Sequence, residues 1–358
     1  MSWDRNSFYG SAIGVHRSSA DMGVTESGMR SRKARERAFL IGMLVLWCAC
    51  AVFLLLYGDQ VYSPLTVLKV LAGQNIKGAA YSVKTIRLPR VLVGTLAGFA
   101  FGAAGNTFQK ILRNALASPD VMGITSGASA AAVFSTMVLG LSGMVVSVIA
   151  LLGGAAVATV ILIISQQKGF SVNKMILTGI GIQAMLQAVI NFIILKTSNY
   201  NIADALRWLS GSLNGVRIND VSSFGFIVVI CVAVIVACER DLQVLGLGEE
   251  LPVTLGMNTV QSRRFLIYSA VILCAGTTAV TGPLSSVAFM SGHIAGRLLK
   301  TGGAGTVHAG CIGAILVLVS EAAGQFAFST RYPVGVITGI IGAPYLIYLL
   351  TSLNHKNG

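Results

Sequence analysis

The residues best suited to recognise another molecule here are a basic pair and a few carboxylates. Arg87 and Arg90 stand three apart ahead of an apolar run, so one helical face could present two guanidinium groups to carboxylates. The same pair would also serve as interfacial anchors that snorkel to water. Glu321 lies well inside another apolar run, four residues before Gln325 on one helical face. A carboxylate there either lines a pathway or is satisfied by neighbouring helix ends. Glu249 and Glu250 sit in Glu239–Arg264, where short apolar stretches are broken by Gly246, Gly248, Pro252 and Gly256. That composition suits two short surface helices joined by a turn. The segment is either a connector or, given apolar residues facing water, a surface for a partner.

Catalytic and metal-binding patterns are missing. No GxxxxGK[ST] phosphate loop occurs, which excludes the usual ATP site from this chain, and no HExxH or paired intramembrane carboxylates occur. The six cysteines fall inside or at the ends of apolar runs, where they act as small hydrophobes, and they show no CxxC zinc spacing. Of the four scattered histidines only His293 lies near a span, which suits a hydrogen-bonded structural residue better than a ligand. No cofactor is called for.

What must position these groups is a membrane bundle. The 358 residues are 54% hydrophobic and 11% charged with 41 glycines, and mean hydropathy is +0.76. A bilayer core needs roughly 20 helical residues to cross it. Ten runs qualify as spans: 39–57, 91–108, 121–141, 145–165, 175–195, 221–238, 265–281, the short Gly- and Ser-rich 284–299, 307–328 and 334–353. The 121–141 run is built largely of Gly, Ala and Ser, which suits close backbone approach in lipid better than a water-soluble core. Gly94, Gly98 and Gly102 repeat at spacings of four, which puts them on one packing face.

With the N-terminus inside, the cytoplasmic tail and loops collect about two-thirds of the 26 basic residues, so both termini are expected in the cytoplasm. Residues 1–38 read as a disordered basic tail, too long and polar for the basic region of a signal peptide. The membrane body is then 39–353, with 354–358 as a short cytoplasmic tail. The net charge of +13 follows from this bias; its spread over loops argues against nucleic acid as a partner.

The stretch RLPRVLVGTLAGFAFGAAGNTFQKILRNALASPDVMGITSGASAA, from Arg87 to Ala131, resembles the signature of the FecCD family of ABC importer permeases. Trp208–Val216, Leu245–Met257, Val280–Leu299 and Tyr332–Leu350 resemble the family's later motifs in the same order. The resemblance implies an all-α membrane protein with a ten-helix bundle like that of cobalamin importers, its helices two to five and seven to ten forming an inverted repeat. It also implies a multi-pass transport subunit of a bacterial cytoplasmic membrane, which is not itself an enzyme. Its partners would be a second permease (a copy or a paralogue), a cytoplasmic ATPase dimer, an external solute-binding protein and membrane lipid.

The cargo implied is a ferric siderophore by base rate, with haem or cobalamin as the alternative; a secondary transporter is a distant one. By the same resemblance, Leu245, Gly246, Glu249, Glu250 and Gly256 belong to the ATPase-coupling segment. Arg87, Arg90 and Arg331 are the docking arginines for the binding protein, although Gln325 stands where the family often has the third. Asn114 and Leu116, with Val172 and Asn173, would form an inner gate. Ala115 replaces the family's usual proline, and Ser285, Ser286 and Gly292 depart from its eighth-span pattern, suggesting a looser or more polar short helix.

Overall fold

The computed structural model describes residues 19–166, 170–197, 205–206, 208–248, 250–299 and 305–357. Residues up to Gly42 form one unit and those from Met43 a second. The first, where described, is helix: α1 (Ser19–Leu56) begins well before the apolar run starts at Phe39. Residues 19–38 are therefore helical rather than disordered; the stretch has no proline and is rich in Ala, Met, Glu and Arg, all good helix formers. Residues 1–18 lie outside the described residues.

The second unit is helical throughout its regular structure among the described residues. After α2 (Pro64–Leu71), a π-helical stretch (Tyr81–Arg87) leads into α3 (Leu88–Ile111). Next come α4 (Ile124–Met137), α5 (Met144–Gln166) and α6 (Val172–Lys196). Then follow α7 (Ile218–Ala237), the short α8 (Glu239–Leu245) and α9 (Glu250–Thr254), and α10 (Thr259–Thr281). The chain closes with α11 (Val287–Leu299), α12 (Thr306–Phe326) and α13 (Val334–Asn357), so residues 354–357 continue the last helix.

Eight helices among the described residues are long and apolar enough to cross a bilayer. The two that fall short are α4, with 14 residues, and α11, with 13, against the roughly 20 a crossing needs. The expected span 121–141 is thus corrected. Residues 112–123 return into the body as a turn-rich loop in which Ser118, Met122 and Gly123 are buried, and its backbone bonds internally, as in Met122 N to Ser118 O at 3.3 Å and Gly123 N to Asp120 O at 3.1 Å. Oriented with its amide nitrogen toward this loop, Gln183 of α6 donates to the carbonyls of Asp120 (3.3 Å) and Val121 (3.2 Å). Irregular backbone at membrane depth is tolerated only where protein satisfies it in this way.

The two short helices hold matching places. Each follows a residue with positive φ, Gly123 at 72° and Ser286 at 68°. Exchanging α3, α4, α5 and α6 with α10, α11, α12 and α13 maps the helix neighbours onto themselves: α3 with α12 becomes α10 with α5, α3 with α11 becomes α10 with α4, and α4 with α6 becomes α11 with α13. The pair α3 with α10 maps onto itself. One spanning helix, α7, separates the sets, so the second enters the bundle in the opposite sense. This is the inverted-repeat arrangement of transport folds.

α3, α10 and α12 are mostly buried, whereas α5, α6 and α7 show apolar faces outward. The centre is packed through missing side chains. A Cβ on Gly98 would fall inside the van der Waals surface of Gly313 O on α12, and one on Gly102 inside that of Ala309 O. Gly94 instead leaves room for side chains, with Leu213 Cδ1 at 2.9 Å from where its Cβ would be. Gly105 touches the backbone of Ala288 on α11, and Gly127 and Gly153 bring α4 against α5. Buried hydroxyls of Thr107, Thr277, Thr278 and Ser291 bond to the carbonyl one turn back, so these four groups are satisfied within their own helices.

These contacts set different tolerances for glycines of the same bundle. Gly105→Ala must push α11 off α3, and overpacking of this kind costs about 1 to 3 kcal/mol, so the yield of folded protein and its melting temperature should fall. Gly181→Ala on α6 has open space around it and should be neutral or slightly stabilising. Equal melting curves for the two variants would refute the close contact.

Candidate functional site: the two ends of the bundle

At the end where α3 begins, Arg87 and Arg90 do not share a face. Arg87 closes the π-helical stretch, and its side chain turns toward the end of α1. Its guanidinium is 7% exposed and donates to Leu55 O (2.8 Å), Leu56 O (2.9 Å) and Gln60 O (2.6 Å), with Tyr62 stacked 4.9 Å away. Arg87 therefore satisfies the orphan carbonyls at the end of α1, and is corrected from docking group to structural cap.

Arg90 turns to the opposite side. Its Nη2 donates to Asn214 Oδ1 at 2.5 Å, and its Nε lies 3.5 Å from Glu321 Oε1. Gln325 Nε2 donates to the same carboxylate oxygen at 2.5 Å, so Glu321, buried at 5% exposure on α12, is held by a cation and an amide. The partners of Glu321 are thus side chains rather than the neighbouring helix ends expected in one of the two readings. Arg331 pairs with Asp59 in an exposed ion pair at the same end.

The opposite end carries α8 and α9. Leu245 is 3% exposed and belongs to the core, so it is not part of an outer surface. The residues that do face outward are Leu247, at 73% exposure, Leu251, Val253 and Leu255, an apolar ridge that sequence reading left undivided. A segment this short gives no helical period from which the outward face can be chosen. Gly246 caps α8, Gly256 turns the chain with φ of 72°, and Glu250 opens α9 in the exposed class. Glu249 lies outside the described residues. Asp241 on α8 accepts the Ser262 hydroxyl of α10, and Arg263 of α10 stacks on Phe170 at 3.9 Å, so α10 meets both α8 and the lead-in to α6.

The two expected gate turns sit at this end in different settings. Arg113 has φ of 48°, and Asn114 Oδ1 accepts the Leu116 N–H at 2.9 Å, a side-chain-stabilised turn that does without proline. Leu116 packs against Phe289, Met290 and Leu349, on α11 and α13. Val172 packs against the main core instead, while Ser171 caps α6 and Asn173 is exposed.

The eighth-span substitutions have local reasons. Gly292 makes room for Gln109 and Asn106 of α3: a Cβ there would lie 2.5 Å from Gln109 Oε1, while Gln109 Nε2 donates to Phe289 O at 2.8 Å. Ser286 packs directly on Gly342 of α13. The short helix thus meets α3 closely at Gly292, and Ser286 before it meets α13.

Comparison with known proteins agrees with this architecture. Residues 43–352 match the model of the FecCD transport family. The ferric enterobactin transport system permease protein FepG of Escherichia coli is 32% identical over 90% of this chain and 98% of its own length. The achromobactin transport system permease protein CbrC of Dickeya dadantii is 33% identical over 87% and 90%. The cobalamin import system permease protein BtuC of Halobacterium salinarum is 31% identical over 75% and 73%. A solved inward-facing metal-chelate type ABC transporter superposes with a TM-score of 0.76 at 21% identity, covering 88% of this chain and 99% of that one. The chain is a member of the FecCD transport family, whose members are ABC importer permeases.

Proposed function

We propose that this chain is the membrane subunit of an ATP-driven importer that takes up a ferric siderophore delivered by a solute-binding protein. The observation that carries the reading is the pair of four-helix sets with exchangeable neighbours and matching short helices, a design suited to alternating access, on a chain without a nucleotide loop. Two relatives named for ferric enterobactin and achromobactin support a siderophore. The relative named for cobalamin keeps that solute, or haem, as the second reading.

In this account the protein lies in the cytoplasmic membrane of a bacterium with both termini and the α8–α9 end in the cytoplasm. The ridge of Leu247, Leu251, Val253 and Leu255, together with Gly246, Glu249, Glu250 and Gly256, is the segment that meets an ATPase subunit. A second permease, a copy or a paralogue, completes the pathway. The Asn114–Leu116 turn, with Val172 and Asn173, narrows its inner mouth. At the outer end, Arg90 and Arg331 receive acidic groups of the binding protein by exchanging Glu321 and Asp59 for them.

Iron-starved cells lacking the chain should regain uptake of 55Fe-labelled ferric enterobactin when it is restored, and the purified protein should bring an ATPase with it. Uptake of labelled cobalamin but not iron would select the second reading, and uptake without any ATPase would reject an ABC importer. Leu251→Asp with Val253→Asp should release the ATPase from a permease that still folds; retention would move the contact elsewhere. Arg90→Glu with Arg331→Glu should weaken binding-protein association about fivefold or more at low salt, with the loss shrinking as salt rises. Unchanged association at low salt would mean that these arginines serve only their own chain.

A further inference from the structure

Glu239 opens α8, and its carboxylate bridges the adjoining ends of two other helices. Oε1 accepts from Lys110 Nζ at 3.1 Å, in the last turn of α3. Oε2 accepts from the backbone N–H of Thr306 at 3.2 Å and from its hydroxyl, at the first residue of α12. Gln243 Nε2, one turn along α8, lies 3.5 Å from Oε1.

Each charge matches the helix end it meets. The end of α3 carries partial negative charge, which Lys110 complements, and the start of α12 carries unsatisfied N–H groups and partial positive charge. The residue before α12 is Gly305, which has no side chain to cap them. Glu239 supplies that cap from another helix, with a charge-assisted bond to α3 through Lys110. The Lys110 and Glu239 side chains are 15% and 21% exposed, so solvent screens the pair less than it would a surface pair.

The helices so joined form the most extensively packed pair among the described residues, and they touch backbone to backbone at Gly98 with Gly313 and Gly102 with Ala309. Neither can shift without the other. We infer that Glu239 is the positioning residue through which a displacement of α8–α9 reaches the α3–α12 pair. This rests on the reading of α8–α9 as the ATPase contact. The covalent routes run through α7 on one side and α10 on the other, and both meet α3 along its flank.

The test is backbone hydrogen exchange of the copurified permease–ATPase complex, with and without ATP and vanadate, for wild type, Glu239→Gln and Lys110→Met. In wild type, nucleotide should alter exchange in residues 239–254 and also at the ends of α3 and α12. In both variants the response of 239–254 and the rate of ATP hydrolysis should persist, while the response at the ends of α3 and α12 should fall severalfold. If Glu239→Gln yields too little folded protein, Lys110→Met decides, since it leaves the cap on α12 intact. A full response at both ends in the variants, or none there in wild type despite a response in 239–254, would overturn the inference. Absence of any ATPase, or of any nucleotide response in 239–254, would instead reject the functional reading on which it rests.

Discussion

The contact of α3 with α12 at Gly98, Gly102 and Gly313 is the constraint on which the rest of this structure depends. Helices in lipid gain little by burying apolar surface against each other, because the tails around them are just as apolar. Close packing and satisfied backbone are what remain. The glycines supply the first, and buried hydroxyls of α3 and α10 bonded to the preceding turn contribute to the second. Around this pair, α11 closes on α3 at Gly105, and α10 packs against α3 and α5. Two short helices can then end inside the body, because protein rather than lipid surrounds their lead-in loops.

Polar contacts divide by end. Where α3 begins, Arg87 is spent on the carbonyls of α1, and Arg90 and Arg331 are held by carboxylates that a partner's acidic groups could replace. Where α3 ends, Glu239 gathers Lys110 and Thr306 under a segment whose apolar ridge faces outward. The same helix pair thus joins the side suited to a binding protein to the side suited to an ATPase. Coupling across the membrane needs an element of that kind, in which movement at one end is carried to the other.

Much of the architecture was legible because hydropathy and small-residue spacing are local signals. The apolar runs locate the long helices, and the spacing of four in Gly94, Gly98 and Gly102 marks a real contact face. What failed were inferences drawn from spacing alone. The 121–141 run counts apolar residues without regard to Gly123, where positive φ starts a shorter helix after a buried loop. Arg87 and Arg90 look like a docking pair by spacing, but one is drawn to the carbonyls of α1 and the other to Glu321, which spacing alone does not reveal. Leu245 and Leu247 differ in burial although only two residues apart, since α8 ends between them. The Glu239 bridge joins residues 129 and 67 positions away in sequence, and no local pattern announces it.

The most direct test of the central contact is a double-mutant cycle on Gly98 and Gly313, read as the melting temperature of the purified protein. Each glycine's added methyl would strike the other's carbonyl. If the backbones touch there, Gly98→Ala and Gly313→Ala should each be clearly destabilising. The double variant should then cost little more than the worse single one, because the helices have already been forced apart. Two neutral single variants, or losses that simply add, would show that α3 and α12 do not meet through these glycines and would remove the basis of the account.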